Sequence, residues 1–286
     1  MKNILITGIN GFLGSNLAKA LASEYNIIGL VYSLDNLPRI ETCSYKMYSS
    51  ETDMEKIFIE NKIFTIIHTA TVYRRDNTVP IDKLIKTNIL LPTNLYELAD
   101  KHNCKLFLNT DTFFNDPASN YTYLPDYTLS KKHVLEWLKL INKRCKLVNM
   151  KIFHMYGPDD APNKFIPQII SSLKNNLPFL DVTLGEQTRD FIYIDDVVSA
   201  YQVVIRKYKK LHNTSYSFQV ATNRSVSIKE LLLHLKDITG SSTILNFGAI
   251  PYRENELMNS EADNSTLCAL GWKPKYTIKE GLQETI

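Results

Sequence analysis

The sequence predicts an α/β fold, a doubly wound parallel sheet followed by a smaller mixed α/β C-terminal lobe. Three observations predict it. Short apolar runs alternate with longer amphipathic ones through the first half of the chain, the first run ends in a glycine-rich turn that opens a helix, and beyond residue 157 prolines and glycines cut the chain into shorter mixed elements. The apolar runs at 4–7, 27–31, 65–69 and 105–108 read as strands, and the stretches at 13–25, 53–61, 82–103 and 127–143 read as the helices between them. Strict alternation implies right-handed crossovers and a sheet covered on both faces. A further strand is expected at 147–153. Gly157-Pro158, Pro162, Pro167, Pro178 and Pro251 then mark the second lobe, and a strand at 191–193 with a helix at 196–206 suggests a return to the first domain.

Length and composition support this reading. A chain of 286 residues with 44% hydrophobic content has enough apolar side chains for a substantial core. Its 33 basic and 30 acidic residues leave a formal +3 spread along the chain rather than gathered in runs, so no nucleic acid is expected as a partner. Cys43, Cys104, Cys145 and Cys268 lie far apart without a C-x-x-C pair, which argues against a zinc or redox site; no metal is expected. The apolar stretch at the N-terminus is too short for a signal peptide, and no later stretch reaches the roughly 18 to 20 apolar residues that span a bilayer. The expectation is a cytoplasmic protein with no membrane partner.

The first chemical motif is Thr7-Gly8-Ile9-Asn10-Gly11-Phe12-Leu13-Gly14, a strand end that passes through three glycines into an amphipathic helix. Glycines permit the tight turn, the close approach of a pyrophosphate and close helix packing, while the helix start supplies amide donors and a positive dipole end. Strand before and helix after satisfy the context that a dinucleotide site requires. Gly8, Asn10, Gly11, Phe12, Leu13 and Gly14 are therefore expected to bind a cofactor, and the first domain is expected to be Rossmann-like.

The spacing G-x-x-G-x-x-G with Thr7 resembles the short-chain dehydrogenase/reductase superfamily, whose second signature, Tyr-x-x-x-Lys, stands here as Tyr127-Thr128-Leu129-Ser130-Lys131. At i and i+4 on a helix the two side chains share a face, so the ammonium is expected to lower the phenol pKa and to reach the cofactor ribose. The third member is a hydroxyl after the fourth strand. Leu108-Asn109-Thr110-Asp111-Thr112 resembles the S-T-D-E-V-Y segment of nucleotide-sugar dehydratases and places Thr110 at that position, with Thr112 where the dehydratase Glu would be. Asp111 and Thr112 are expected beside the substrate. Three more segments, Gly185 to Asp196, Tyr252 to Glu256 and Leu270 to Pro274, resemble the epimerase/dehydratase branch in the same order, as does Phe153-His154-Met155-Tyr156-Gly157-Pro158.

The resemblance implies a division into a dinucleotide-binding domain over 1–156, with a return at about 189–210, and a substrate-binding lobe over 157–188 and 211–286. It implies catalytic roles for Thr110, Tyr127 and Lys131, cofactor contact at Ala70, a bracing role for Asn88, substrate contact at His154, and contacts from Arg189 and Arg253 to a nucleotide diphosphate. At the end of the second strand Val31 stands where NAD-selective relatives carry an acid. Ser33 can donate to a 2′-phosphate and Tyr32 can stack on adenine, which favours NADP(H), with NAD(H) as the other choice. The strongest likeness is to the short reductases that make 3,6-dideoxyhexoses, of the CDP-abequose and CDP-paratose synthase type. It implies reduction of the C4 keto group of a nucleotide-linked 6-deoxy or 3,6-dideoxy sugar for bacterial surface polysaccharide (lipopolysaccharide). A 4-epimerase that retains NAD and a non-catalytic NADP or nucleotide-sugar binding protein are the alternatives. Relatives often form homodimers, and the same is expected here.

Overall fold

The computed structural model describes residues 1–74, 78–115, 124–141 and 143–286. In chain order the first part runs β1 (Lys2–Thr7), α1 (Phe12–Leu21), β2 (Tyr25–Val31), β3 (Lys46–Ser49), α2 (Met54–Glu60), β4 (Ile63–His68), α3 (Ile81–Ile85), α4 (Leu91–Lys101), β5 (Leu106–Thr112), α5 (Pro125–Leu140) and β6 (Lys146–Ile152). The rest runs β7 (His154–Tyr156), α6 (Phe165–Lys174), β8 (Phe179–Val182), β9 (Thr188–Arg189), β10 (Phe191–Tyr193), α7 (Ile194–Lys207), β11 (Ser215–Val220), β12 (Val226–Ser227), α8 (Ile228–Thr239), β13 (Ile244–Phe247), α9 (Ser265–Ala269) and α10 (Ile278–Thr285).

The chain divides into two compact units. One joins Val198–Phe218 to most of the chain up to Lys151, and the other holds Ile152–Val197 and Gln219–Ile286. The return to the first unit therefore begins at Val198, inside α7, rather than near residue 189, because β9 and β10 pair with strands of the second unit.

A seven-stranded sheet in the order β11-β6-β5-β4-β1-β2-β3 forms the first unit, and the pairings that link β3 through β2, β1 and β4 to β5 are parallel. Chain order runs outward from β1 in both directions, so the carboxyl ends of β1 and β4 flank the point where the winding reverses. In doubly wound sheets that crevice is where ligands bind. Strand interiors buried on both faces explain the unbroken apolar runs, such as Ile4-Leu5-Ile6 and Ile66-Ile67, all fully buried. On one face Leu95, Tyr96 and Ala99 of α4 and Val134 and Leu138 of α5 pack with Leu5, Ile66 and Phe107 into one core.

Four element boundaries differ from the sequence expectation. The first helix stops at Leu21, and Tyr25 already belongs to β2. Strand β3 was not anticipated, since its Lys-Met-Tyr-Ser has little apolar content; only Tyr48 is buried. β5 continues to Thr112, so Thr110-Asp111-Thr112 is strand rather than turn. The long helix expected at 82–103 is interrupted at Lys86–Leu90 by a π-helical turn, which carries the buried Asn88. Such turns recur at functional sites.

The second unit is built from two-stranded pairings, β7 with β10 and β8 with β13 in parallel, β9 with β12 antiparallel. Helices α6 and α8 cover it, burying Ile166, Ile169, Ile170 and Leu173 from one and Leu231, Leu232 and Leu235 from the other. Trp272 is buried with its indole N–H donating to the Asp196 carbonyl at 3.2 Å, and the Asp196 carboxylate accepts from the amides of Lys275 (2.8 Å) and Tyr276 (3.0 Å). The L-G-W-K-P segment thus clamps the C-terminal chain. Among the described residues no helix is long and apolar enough to cross a membrane.

Candidate active site

The glycine turn between β1 and α1 is shaped by exclusion of side chains. Gly8 has φ +65°, and a Cβ there would lie 2.8 Å from the backbone of Ala70; a Cβ on Gly14 would lie 2.3 Å from the Gly8 carbonyl oxygen. The Gly11 amide donates to that oxygen at 2.8 Å, and Gly11 caps α1 without a side-chain hydrogen bond, leaving the amides of the first turn uncapped by any side chain. A strand-to-helix turn whose backbone is bare and whose helix start is uncapped suits the pyrophosphate of a dinucleotide. Phe12 opens the helix, Leu13 and Gly14 are buried behind it, and the Asn10 side chain accepts from the Arg39 amide at 3.1 Å, tying the turn to the segment after β2. From the β4 end, the Ala70 amide donates to the Thr7 hydroxyl, which also pairs with Nδ1 of the fully buried His68 at 2.8 Å. Burial holds His68 well below its usual pKa, so it is neutral.

Beyond β2, Tyr32 is exposed and the Lys83 ammonium lies 4.6 Å from its ring centroid. Ser33 donates to the Asp35 carboxylate at 2.8 Å. The strand end itself lacks an acid, as expected, but the fold brings one within hydrogen-bonding distance of Ser33 two residues later.

Thr110, Tyr127 and Lys131 come together at the end of β5 and the start of α5. Lys131 Nζ donates to the Thr110 carbonyl at 2.9 Å, and the Thr110 hydroxyl lies 2.7 Å from the Tyr201 phenol oxygen of α7. Tyr127 is buried, its ring 4.5 Å from that of Tyr73. The expected lowering of the phenol pKa by Lys131 is not seen here. Burial, with Tyr73 second, holds Tyr127 well above its usual value, and the ammonium stands 5.8 Å from the ring centroid, engaged with a carbonyl instead. Lys131 itself is pushed down to about 8 by burial, partly offset by Asp111.

Asn88 braces this cluster from the π-turn. Its carboxamide oxygen accepts from the Val72 amide at 2.8 Å, and its nitrogen donates to the Val72 carbonyl and to Ser130 Oγ, both at 3.0 Å; Ser130 in turn donates to the Tyr127 carbonyl. A side chain satisfied on both sides fixes the start of α5 to the loop after β4.

Asp111 and Thr112, expected against the substrate, are buried. The Asp111 carboxylate accepts from Asn149 Nδ2 and from the Thr112 amide, each at 2.8 Å, and burial outweighs these bonds to raise its pKa. Asn149 also accepts from Asn109 at 2.7 Å. Asp111 is thus part of a buried polar network across β5 and β6.

The remaining expected contacts belong to the second unit. Arg189 is buried and ion-paired with Glu256, and it also donates to the carbonyls of Thr188 and Leu257. Its donors, expected on phosphate oxygens, are directed at the protein, because a buried guanidinium requires a carboxylate and carbonyls around it. Arg253 lies exposed at the head of the turn that ends in Glu256, whose amide donates to the Arg253 carbonyl at 3.1 Å. His154 is pushed down to about 3, first by burial and then by the nearby Arg189 charge, so it is neutral.

Three side chains join the first-unit cluster without having been marked by any motif: Tyr73, Asn149 and Tyr201. Tyr201 reads in sequence only as one apolar position of an amphipathic helix, and Asn149 only as an interruption of an apolar strand.

The chain is 36% identical over 294 residues to CDP-abequose synthase of Salmonella typhimurium, covering 99% of this chain and 97% of that protein, and 37% identical over 291 residues to the Salmonella muenchen CDP-abequose synthase, covering 100% and 97%. Among solved structures, UDP-glucose 4-epimerase of Thermotoga maritima with UDP-glucose superposes with a TM-score of 0.84 at 23% identity, covering 99% and 97% of the two chains. Residues 4–218 match the family described as the NAD dependent epimerase/dehydratase family, and with the full-length relatives this shows that the chain belongs to that family.

Proposed function

We propose that the protein reduces the C4 keto group of a nucleotide-diphosphate 6-deoxy or 3,6-dideoxy-4-ketohexose, with NADPH as reductant. The observation that carries this reading is the cluster of Thr110, Tyr127 and Lys131, joined to a buried Asp111 with Thr112 in place of the acid that a dehydratase uses. The likeness to CDP-abequose synthases supports a cytidine-diphosphate sugar and a dideoxy product. Lys83 beside Tyr32 adds positive charge at the adenosine end, which suits a 2′-phosphate.

The bound nicotinamide would supply the hydride. Tyr127, kept protonated by its burial, delivers the proton to the developing C4 alkoxide. Thr110 holds that oxygen by its hydroxyl, while the Lys131 ammonium, held on the Thr110 carbonyl, fixes the strand that carries this hydroxyl and would reach the cofactor ribose. The glycine turn would hold the pyrophosphate, and Ala70 and Ser33 would contact the cofactor. His154, Arg253 and, once released from Glu256, Arg189 are the candidates for the sugar nucleotide.

One observation favours a second reading. The Asp35 carboxylate on Ser33 suits the free ribose hydroxyls of NAD, as a 4-epimerase with retained cofactor would need. The separating experiment follows the reduced-nicotinamide absorbance of purified protein with NADPH or NADH and CDP-, dTDP- and GDP-linked 4-keto-6-deoxy and 4-keto-3,6-dideoxy sugars. Stoichiometric loss of NADPH with one sugar supports the reductase. Inversion of a fully hydroxylated nucleotide sugar at C4 with bound NAD and no net loss replaces it with the epimerase, and silence with tight ligand binding replaces both with a binding protein.

A further inference from the structure

We infer that Tyr201 is a positioning residue that keeps the Thr110 hydroxyl proton from pointing into α7, which favours Thr110 as a donor at the reacting oxygen. The inference rests on the reading of Thr110 as the hydroxyl that meets the sugar C4 oxygen.

Tyr201 is fully buried on α7, and burial raises its pKa, so the phenol stays protonated throughout the range in which the protein is folded and working. A buried phenol proton needs an acceptor, since leaving it unpaired costs far more than a hydrogen bond gains. The side chain within reach is Thr110, its Oγ1 at 2.7 Å from the phenol oxygen. A phenol is the better donor of the two, so Tyr201 donates and one lone pair of Thr110 Oγ1 is occupied. A threonine hydroxyl carries one proton and two acceptor lone pairs. With Tyr201 holding one lone pair, the proton is left to point away from α7.

Thr110 is held at its other polar end too. Lys131 donates to its carbonyl at 2.9 Å, so the backbone and the hydroxyl of one residue are each fixed by a buried side chain. This matters for carbonyl reduction because a ground-state C=O and the alkoxide formed from it both accept and never donate. A Thr110 hydroxyl free to rotate would spend part of its time presenting a lone pair to that oxygen, which is repulsive. Excluding the rotamer that points at Tyr201 raises the share that donates to that oxygen before the reaction begins, which is the sense in which donors are preorganised.

The chemistry also separates Tyr201 from Tyr127. The Tyr127 ring packs against Tyr73, whereas the Tyr201 phenol bonds Thr110. No proton leaves Tyr201 in this scheme: it donates a hydrogen bond and remains neutral. Its effect is on the orientation of Thr110.

Two measurements test this. The first needs no substrate: protein labelled with ζ-carbon-13 tyrosine, with the Tyr201 signal assigned by Tyr201→Phe. Thr110→Val is expected to shift the Tyr201 signal, while Thr112→Val leaves it in place. A Tyr201 signal insensitive to Thr110→Val would overturn the contact and the inference with it. The second is a double-mutant cycle with a CDP-linked 4-keto-3,6-dideoxyhexose and NADPH. Tyr201→Phe should lower kcat about five- to tenfold, as expected for one oriented hydrogen bond, with KM nearly unchanged. In the Thr110→Val background it should have no further effect. Thr110→Ser, which keeps the hydroxyl but not the methyl, should remain sensitive to Tyr201→Phe. Additive losses in the cycle would mean that Tyr201 acts only through packing, and the inference fails. A Thr110→Val variant as fast as wild type, or no turnover by wild type, would instead remove the role of Thr110 and the inference that depends on it, even with the contact itself intact.

Discussion

Lys131 Nζ donates to the main-chain carbonyl of Thr110 at 2.9 Å and stands 5.8 Å from the centre of the Tyr127 ring. The signature pair therefore meets through the strand that carries the third member. Burial brings Lys131 down to about 8, so its charge is conditional on pH in a way that an exposed lysine's is not. A base whose folded pKa is depressed penalises folding below that pKa, and the penalty is relieved as pH rises toward the unfolded value. For Lys131 the window runs from about 8 to 10.5 and the effect is about 3 kcal/mol. Wild type should gain stability relative to Lys131→Met across that window in urea melts; a constant difference between the two would show that Lys131 titrates normally.

The same titration should appear in catalysis with the opposite benefit. The proposed mechanism needs the ammonium, so kcat/KM should fall as pH rises through about 8, since this parameter reports groups of the free enzyme. Tyr127, held protonated well above its usual value, contributes no limb in that range. Lys131→Arg should shift the alkaline limb beyond the measurable range even if its maximum is lower. An unmoved limb would assign it to another group.

Tyr127→Phe removes one oxygen from a buried ring that remains packed against Tyr73. Turnover is expected to fall by roughly 100-fold or more, the usual worth of a positioned general acid. Thermal stability should change little, because the ring keeps its packing against Tyr73. Wild-type turnover by this variant would remove Tyr127 from the proton path.

How much of this was legible beforehand follows from the kind of constraint each part obeys. The sheet and its crossovers could be read because buried parallel strands are apolar throughout and their helices are amphipathic, as with Ile4-Leu5-Ile6 before the glycine turn. Local spacing also located Tyr127 and Lys131, four residues apart on one helix. Spacing did not show where Lys131 Nζ would turn, because Thr110 lies in another element. Tyr201 and Asn149 were hidden for the same reason: each is one residue in an ordinary helix or strand, given its partner by tertiary packing. Asp35 was hidden because it lies past the strand end, where the turn folds its carboxylate back onto Ser33. Arg189 was found by motif, but its burial against Glu256 depends on a segment far along the chain.

Gly14 gives a sharper test of the cofactor cradle than Gly11. A Cβ on Gly14 would meet the Gly8 carbonyl oxygen at 2.3 Å, against 3.0 Å for one on Gly11. The contact at Gly14 is with backbone and cannot be relieved by rotating a side chain. Gly14→Ala should destabilise the protein by about 1 to 3 kcal/mol, as overpacking does, and weaken NADPH binding more than tenfold in a fluorescence titration. Gly11→Ala should do less of both. Equal effects would mean that the turn moves as a whole.

Arg189 and Glu256 separate a structural from a phosphate-binding role. Removing one partner of a buried pair leaves an uncompensated charge and costs about 3 to 5 kcal/mol. Arg189→Met should show a loss of that order in urea melts, and adding Glu256→Gln should restore part of it. If Arg189→Met kept its stability but lost affinity for CDP, measured calorimetrically, the guanidinium would serve the nucleotide and not the fold.

The apolar surface of α5 predicts self-association. Leu129, Trp137 and Leu140 are 52%, 52% and 74% exposed, and their spacing places them along one side of the helix. Ile81 and Ile85 on α3, and Leu90 at the end of the π-turn, are also exposed, and α5 packs directly against both segments. Large apolar side chains gathered on adjoining helices are costly to leave in water, and a second copy presenting the same surface would cover them in a symmetric helix pairing. We expect a dimer in sedimentation equilibrium. Trp137→Glu would place a charge in that pairing and should yield a folded monomer, with circular dichroism unchanged. A monomeric wild-type protein at high concentration would exclude this interface, and a dimer that survives Trp137→Glu would place it elsewhere.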